Sequence, residues 1–293
     1  MRNLAFSSNA FKKNTLSEAI SSLGAIGYSA VELMADLHHA WPPTFDARRR
    51  AETKKQLADL GMVVSNVNAF TCFVQGDTYH PTWIETDPKQ LQIRIDHTNR
   101  SLELAAEFGV KTVSIQPGGP MIGQTFSYDE GGRRFAESLA QCVDTARKTG
   151  VVLAIEPEPG LLIQTAGEYL DFKNRYFADE PLVKMNCDCG HLFCVGDDPA
   201  AVIRQLSPHI AHVHLEDIGK NRVHQHLTPG KGAIDFPAIF AALDQTHYTG
   251  WTTVELYLYE TTAAGVAKAA WDYLEQFRGS HEDTKAQRKH EER

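Results

Sequence analysis

The sequence has no long apolar run and no apolar segment near its start. No stretch approaches the roughly 18 consecutive apolar residues that a membrane-spanning helix requires. The opening residues pass from Leu4 into the polar Ser7, Ser8 and Asn9, and so lack the apolar core of a secretory signal peptide. We therefore expect a cytoplasmic protein with no membrane partner.

The sequence also has no excess of positive charge. Its 293 residues include 29 basic and 37 acidic side chains, which gives a net charge of −8. A general nucleic-acid binder needs a basic face for the phosphates, so this balance argues against a nucleic-acid partner. The 42% of hydrophobic residues is typical of a globular protein, and the length fits two ordinary domains or one large α/β barrel.

Cysteine is scarce, and its count of five is odd, which excludes a small scaffold held by disulfides. Three cysteines lie with His191 in the segment 187–194, a group that could hold a structural zinc ion. A simpler interpretation follows from strand alternation. If Asp188 points into a barrel, Cys187 and Cys189 point towards the surrounding helices as small buried apolar side chains. We prefer this second interpretation.

Eight short apolar segments alternate with eight longer segments of helical periodicity, without hairpin signals between them. The predicted strands are residues 4–6, 30–33, 63–67, 112–115, 152–155, 183–186, 211–214 and 252–255. The predicted helices are residues 16–26, 48–60, 91–108, 133–148, 166–172, 199–206, 236–243 and 263–277. This alternation predicts an α/β protein that is a single (β/α)8 TIM barrel.

The same alternation sets the expected domain organisation. A TIM barrel has about 250 residues, so we predict one domain over residues 1–278. The segment 279–293 mixes charges of both signs and has no apolar periodicity. We expect it to be a disordered tail.

Acidic and imidazole side chains follow or end the last four predicted strands. These side chains belong to Glu156, Asp188, His214 and Glu255. The carboxyl ends of barrel strands converge on one mouth, where three carboxylates repel one another unless a cation lies between them. The set therefore predicts a site for one divalent metal ion. Its oxygen-rich ligands suit Mn²⁺, Mg²⁺ or Co²⁺, and Zn²⁺ is an alternative.

Three motifs in this half of the chain add to the metal set. They are Asp188-x-x-His191, His212-x-His214-x-x-Asp217 and Gly230-x-Gly232-x-Ile234-Asp235-Phe236. Together they resemble the xylose isomerase-like TIM barrels, which include D-tagatose 3-epimerase, hydroxypyruvate isomerase, inosose dehydratase and endonuclease IV. The resemblance covers residues 3–278. It implies that Glu156, Asp188, His214 and Glu255 hold the metal, and that Glu156 and Glu255 are the catalytic pair that transfers a proton.

The resemblance also implies that His191 contacts the substrate. We expect a substrate-binding set made of Gln116, Glu158, His191, Lys220, Arg222 and His226. Of these, Lys220 and Arg222 are the basic residues predicted nearest the mouth, where they would hold a phosphate or carboxylate. The segment from His224 to His226 resembles a loop with a zinc-binding pair in endonuclease IV. A second metal near His191, His224 and His226 is therefore an alternative to the substrate role, which we prefer.

These observations predict a metal-dependent isomerase or epimerase of a small sugar, sugar phosphate or polyol ketone. The first alternative is a dehydratase of the inosose or 3-dehydroshikimate type, which needs the same parts. Another is a zinc phosphodiesterase similar to endonuclease IV, but Gln116 stands where that enzyme has a histidine, and glutamine is a poor zinc ligand. The last is a sugar-binding barrel without activity. The expected partner is a small carbohydrate-like molecule, and a homo-oligomer remains open.

Overall fold

The computed structural model describes residues 3–277 and shows eight parallel strands that close into a barrel in chain order. The strands are β1 (Asn3–Ser7), β2 (Ala30–Met34), β3 (Val63–Asn68), β4 (Thr112–Ile115), β5 (Val152–Ile155), β6 (Val183–Asp188), β7 (Ile210–Leu215) and β8 (Trp251–Val254). The last strand pairs with the first, with Leu4 opposite Thr252 and Phe6 opposite Val254. The predicted (β/α)8 barrel is confirmed, whereas the predicted tail 279–293 lies outside the described residues.

Helices connect consecutive strands on the outside of the barrel. Within residues 3–277 they are α1 (Leu16–Ile26), α2 (Ala47–Asp59), α3 (Pro88–Glu107), α4 (Tyr128–Thr149), α5 (Ala166–Tyr176), α6 (Cys189–Val195), α7 (Pro199–Leu206), α8 (Phe236–Gln245) and α9 (Ala263–Leu274). The eight predicted helices are all present. In the described part of the chain, none of the helices has both the length and the apolar character that crossing a bilayer demands.

The short helix α6 was not predicted from the sequence. Asp188 caps its start by accepting a hydrogen bond from the His191 backbone N–H, and Gly196 ends it in the left-handed conformation at φ 98°. Seven residues are too few to show helical periodicity, so the pattern gave no signal. The helix places His191 in its first turn, directly beside the end of β6.

The cysteines next to this helix pack as the alternation predicted. Cys187 and Cys189 have no exposed surface and belong to the apolar core. Among residues 3–277, none of the groups with metal-ligand spacing contains a cysteine. The interpretation as small buried apolar side chains is therefore confirmed.

The barrel interior below the mouth is polar and internally hydrogen-bonded. Asn66 of β3 donates to Glu32 at 2.8 Å and to Ser114 at 2.9 Å, and accepts from Thr112 at 2.8 Å. Such a buried network stabilises a fold only when its members are hydrogen-bonded, because a buried polar group without a partner loses its hydrogen bonds to water and gains none in return. Glu32 is thereby fixed on the barrel axis from below.

A histidine outside the barrel interior gives the fold a dependence on pH. His97 of α3 is buried, donates from Nε2 to the Ala35 carbonyl oxygen at 2.6 Å and stacks on Trp41. Burial, with the nearby Arg94 guanidinium, lowers the pKa of His97 to about 3. The imidazole is therefore neutral in the folded protein throughout the mildly acidic range.

We predict that His97 destabilises the fold on acidification. Below its ordinary pKa near 6.5 the unfolded chain binds a proton here that the folded chain does not bind until about pH 3, so stability falls with pH. Between pH 6.5 and 5.5 this one site removes about 1 kcal/mol from the free energy of unfolding. The free energy of unfolding, measured with urea, should therefore fall by about 1 kcal/mol less between pH 6.5 and 5.5 in His97→Gln than in the unaltered protein. An equal pH dependence in both proteins would contradict the prediction, and the half-buried His80, changed to Gln, is the control.

Candidate metal centre and active site

The four predicted metal ligands meet at the carboxyl ends of four neighbouring strands. Asp188 ends β6, His214 lies in β7, and Glu156 and Glu255 directly follow β5 and β8. One ligand atom from each lies within 4.8 Å of those of the other three, and all four residues are buried. We call these four residues the metal cluster.

Asp188 has one oxygen engaged and one free. Its Oδ1 caps α6 by accepting from the His191 backbone N–H at 2.7 Å. Its Oδ2 is buried and has no hydrogen-bond partner among the described residues. Burial disfavours the charged form, but the attraction of His191 and the nearby His214 imidazole, whose Nδ1 lies 3.6 Å from Oδ2, outweigh it and hold the pKa of Asp188 well below its usual range. A buried, charged oxygen is thus available for a cation.

His214 is oriented from outside the metal cluster. Its Nε2 donates to Glu32 Oε2 at 2.7 Å, and its Nδ1 lies 3.2 Å from Glu156 Oε1 and 3.6 Å from Asp188 Oδ2. Burial disfavours the protonated ring, yet the surrounding carboxylates raise the pKa of His214 well above its usual value. A cation between the carboxylates would take the place of that proton and bind Nδ1, while Glu32 fixes the ring.

Amide side chains position the two glutamates. Asn186 donates to Glu156 Oε2 at 2.9 Å, and Asn9 donates to Glu255 Oε1 at 3.1 Å. Burial, reinforced by the neighbouring carboxylates, raises the pKa of Glu255 to about 8 and also raises that of Glu156. Both carboxylates are therefore stronger bases than exposed ones.

These contacts fit a divalent cation. The metal cluster combines an unpartnered carboxylate oxygen, two further glutamates and an imidazole nitrogen whose opposite nitrogen is bonded to a carboxylate. Carboxylates crowded in a buried site repel one another, and a doubly charged ion removes that repulsion. The donor set of three oxygens and one nitrogen suits Mn²⁺, Mg²⁺, Co²⁺ or Zn²⁺.

Three imidazoles converge beside the metal cluster. His224 Nε2 lies 3.3 Å from His226 Nε2, which in turn lies 3.4 Å from His191 Nε2. His191 and His226 donate from Nδ1 to backbone carbonyl oxygens, so their Nε2 atoms carry lone pairs. Burial lowers the pKa of His191 to about 4 and that of His226 well below its usual value. Neutral rings with facing lone pairs favour a ligand hydroxyl or a cation between them.

A further glutamate lies on the same side of the cavity. Glu158 is buried and accepts a hydrogen bond from the Tyr79 hydroxyl at 2.9 Å. Burial raises the pKa of Glu158 well above its usual range, despite the Tyr79 hydrogen bond. Its carboxyl group therefore holds a proton more tightly than an exposed glutamate does, and it faces the cavity.

A buried arginine anchors the loop that carries Tyr79. Arg94 of α3 donates to the carbonyl oxygens of Ala69, Phe70, Tyr79 and Pro81 at 2.7 to 3.4 Å. The guanidinium is fully buried, and its planar set of donors matches several carbonyl groups at once. This loop between β3 and α3 therefore forms a fixed wall of the cavity.

The cavity above the metal cluster has a volume of about 380 Å³. The predicted site residues among those that line it are Glu156, Glu158, His191, His226 and Glu255. Asp188 and His214 lie below them as buried members of the metal cluster. The residue His224 of the alternative second metal also lines the cavity.

Three predicted substrate contacts are not brought to this cavity. Gln116 is fully buried and donates to the Tyr79 carbonyl oxygen at 2.8 Å, so it supports the wall from behind. Lys220 and Arg222 are exposed, and the Arg222 guanidinium lies over the Phe193 ring at 4.6 Å. None of the three lines the cavity.

The path of the loop after β7 explains this placement. Asp217 and Leu227 exchange two backbone hydrogen bonds, at 2.8 and 2.7 Å, which close the intervening residues into a projecting loop. Lys220 and Arg222 lie in the outward part of this loop, whereas His226 lies at its returning end. Lys220 and Arg222 therefore lie away from the mouth, although they are close in sequence to the end of β7.

The glycine motif after this loop has a structural role. Asp217 Oδ2 accepts from the backbone N–H groups of Gly230 and Gly232 at 2.9 and 2.7 Å. A Cβ at Gly232 would come within 2.3 Å of Asp217 Oδ1, so a larger residue does not fit. The histidine and glycine motifs are thus joined by one buried carboxylate, which holds the loop that returns His226.

Two carboxylates of the site escaped the sequence analysis. Glu32 was not among the predicted site residues, although it orients His214 from the barrel interior. Glu216 is fully buried beside Asp188 and His226, and neither of its oxygens has a hydrogen-bond partner within the described chain. Strand alternation could have identified Glu216 as a site residue, because it lies two residues after His214 and so faces the same side.

The fold and this site define a class of protein: a parallel β/α barrel with a buried carboxylate–imidazole centre at the carboxyl ends of its strands. Comparison with known families makes the class specific. Residues 20–277 match the family described as xylose isomerase-like TIM barrel. The chain belongs to this family, as the sequence motifs predicted.

Relatives and solved structures agree with this assignment. An inosose dehydratase of Clostridium beijerinckii is 25% identical over 270 residues, which covers 83% of each chain. An L-ribulose-5-phosphate 3-epimerase of Salmonella paratyphi C is 26% identical over 248 residues, covering 83% of this chain and 84% of the epimerase. The solved structure of the IolI protein with a bound zinc atom superimposes with a TM-score of 0.76 at 18% identity, over 94% of this chain and 99% of IolI.

Proposed function

We propose that this protein is a metal-dependent isomerase or epimerase of a small polyhydroxy ketone, such as a sugar or sugar phosphate. The observation that carries the proposal is the metal cluster, with its four ligand atoms within 4.8 Å and the buried, unpartnered Asp188 Oδ2. A cavity of about 380 Å³ lies directly above it and is of a size that small ligands occupy.

The residues at the site have different roles in the proposed reaction. When bound, a divalent cation supplies Lewis-acid polarisation of the substrate carbonyl and its neighbouring hydroxyl. Glu156 and Glu255 are the proton-transfer pair: one carboxylate removes the proton from the carbon next to the carbonyl, and the other returns a proton at the new position. Their burial favours this role, because a carboxylate deprived of water is a stronger base.

We assign His191, His226 and Glu158 to the substrate hydroxyl groups. The Nε2 atoms of the two histidines carry lone pairs that can accept hydrogen bonds from hydroxyl groups, and Glu158 faces the same cavity. The alternative is that His191, His224 and His226 hold a second metal ion, since all three ligand atoms lie within 4.8 Å of one another. The number of ions bound per chain separates these two roles.

A dehydratase is the second candidate function. It is supported by the similarity to inosose dehydratase over 83% of the chain, and by Glu158, a third acid in the cavity that can protonate a leaving hydroxyl. The endonuclease alternative has less support. The position that would need a zinc-binding histidine is Gln116, which is bonded to a backbone carbonyl group behind the wall.

Solvent deuterium exchange tests the proposal for both candidates. Protein loaded with Mn²⁺ should wash deuterium from D₂O into a ketose or inosose at the carbon next to the carbonyl, and protein stripped by a chelator should not. Product analysis then separates an epimer or isomer from a dehydrated ketone. If a panel of ketoses, inosose and dehydroshikimate shows no metal-dependent exchange, the proposal is wrong.

His191→Ala is predicted to lower the reaction rate and leave the metal in place. The substitution removes the imidazole but keeps the backbone N–H that donates to Asp188 Oδ1, so the metal cluster retains its geometry. We expect a rate about 10- to 100-fold lower, as for loss of a substrate-orienting group. Metal content and rate are measured on the same preparation, with His209→Ala as the control. A parallel loss of metal would assign His191 to the support of Asp188 instead.

A further inference from the structure

One cation lines the cavity. Among the described lining residues Lys12 is the only lysine or arginine, whereas Glu156, Glu158 and Glu255 contribute carboxyl groups. No ion pair or hydrogen bond joins its ammonium group to another residue between 3 and 277. A half-buried ammonium group that lines the same cavity as these carboxyl groups, but pairs with none of them, is available to a ligand.

The backbone places Lys12 away from the metal cluster. Asn9 and Lys12 are three residues apart on the short 3-10 turn after β1 (Ser8–Phe11, with Lys12 as its end), and residues at this spacing lie over one another. Asn9 is buried and donates to Glu255 in the metal cluster, whereas Lys12 is only half-buried. The cavity therefore has an acidic inner end and a single positive charge nearer its rim.

An aromatic ring holds the lysine in this position. Lys12 Nζ lies 4.9 Å from the centroid of the Phe73 ring, in the loop that Arg94 anchors, and His38 packs edge-on against the same ring at 4.9 Å. The ring attracts the ammonium through its face and leaves N–H donors free on the other side. Lys12 is thus held beside the cavity with its charge unneutralised.

We propose that Lys12 binds an anionic group, a phosphate ester or a carboxylate, at the end of the substrate remote from the reacting carbon. The inference rests on the proposed function for the placement of the reacting end at the metal cluster. The carboxyl side chains of the lining residues offer an anion no positively charged donor, so the Lys12 ammonium group is the place where a negative charge gains a charge-assisted hydrogen bond. The substrate class is then a sugar phosphate or a sugar acid, in preference to a neutral polyol.

Direct binding measurements test this inference independently of turnover. Dissociation constants of the Mn²⁺-loaded protein are measured by calorimetry for fructose, fructose 6-phosphate and glucuronate. We expect at least one of the two anions to bind about tenfold more tightly than fructose. A preference for fructose 6-phosphate identifies a phosphate ester, and a preference for glucuronate identifies a carboxylate.

Substitutions assign the preference to this residue. Lys12→Gln should abolish it, Lys12→Arg should retain it, and Lys13→Gln, a change at the exposed neighbouring lysine, should leave it unchanged. An anion preference that persists in Lys12→Gln, or fructose bound as tightly as both anions by the unaltered protein, overturns the inference. A preference that depends on Lys12 in a protein without deuterium exchange would leave the anion site standing and reject the proposed reaction.

Discussion

Purified Asp188→Asn should retain less than about a tenth of the metal that the unaltered protein carries under equal metal supply. Its Oδ2 is the buried oxygen of the metal cluster without a partner, and asparagine removes the negative charge while an amide oxygen can still cap α6. Loss of a direct ligand should lower metal affinity by more than the roughly 10- to 100-fold typical of residues that only support a ligand. Elemental analysis of the purified protein measures the effect.

The matched control is Asp198→Asn, which makes the same chemical change at another helix start, the N-terminus of α7. It should leave the metal content unchanged. Equal metal content in Asp188→Asn and the unaltered protein would show that the metal cluster does not hold the ion. The same analysis counts ions per chain: one supports substrate-binding histidines, and two support a second metal at His191, His224 and His226.

Deuterium exchange should fall about 10³-fold in Glu255→Gln and in Glu156→Gln, a loss typical of a missing general base. Glutamine keeps the shape of each side chain and its contact with the amide group of Asn9 or Asn186. It cannot accept a proton from carbon at any accessible pH. Each variant therefore removes the basic group while it keeps the hydrogen bond that positions the side chain.

Metal content must be measured on both glutamine variants, because each also removes a charge from the metal cluster. Excess Mn²⁺ in the assay restores occupancy where affinity is merely reduced. A variant that is fully loaded yet exchanges deuterium at the original rate would exclude its glutamate from the proton-transfer pair. The exposed Glu52, changed to Gln, controls for the substitution itself.

The alternation of segments determined the barrel without tertiary information. Each predicted strand overlaps an observed one, and the bounds of residues 112–115 and 152–155 agree with the structure at both ends. The prediction succeeds because a strand that is buried on both faces forms a short apolar run in the sequence. The same reasoning located Glu156, Asp188, His214 and Glu255. In a closed parallel barrel the ends of successive strands must lie side by side, so position along the chain fixes position around the mouth.

The tertiary structure decided the contacts across the barrel and the direction of several loop side chains. The hydrogen bond from His214 to Glu32 joins residues 182 positions apart, and no local pattern announces it. Lys220 and Arg222 are close to a strand end in sequence, but the pairing of Asp217 with Leu227 carries them outward.

Lys12 shows the converse. It lines the cavity because a 3-10 turn follows β1 and because the loop that carries Phe73 packs against it. Strand and helix periods arise from neighbouring residues and are visible in the sequence. The direction of a loop side chain is set by hydrogen bonds to distant backbone groups, such as those of Arg94, and only the folded chain brings these together.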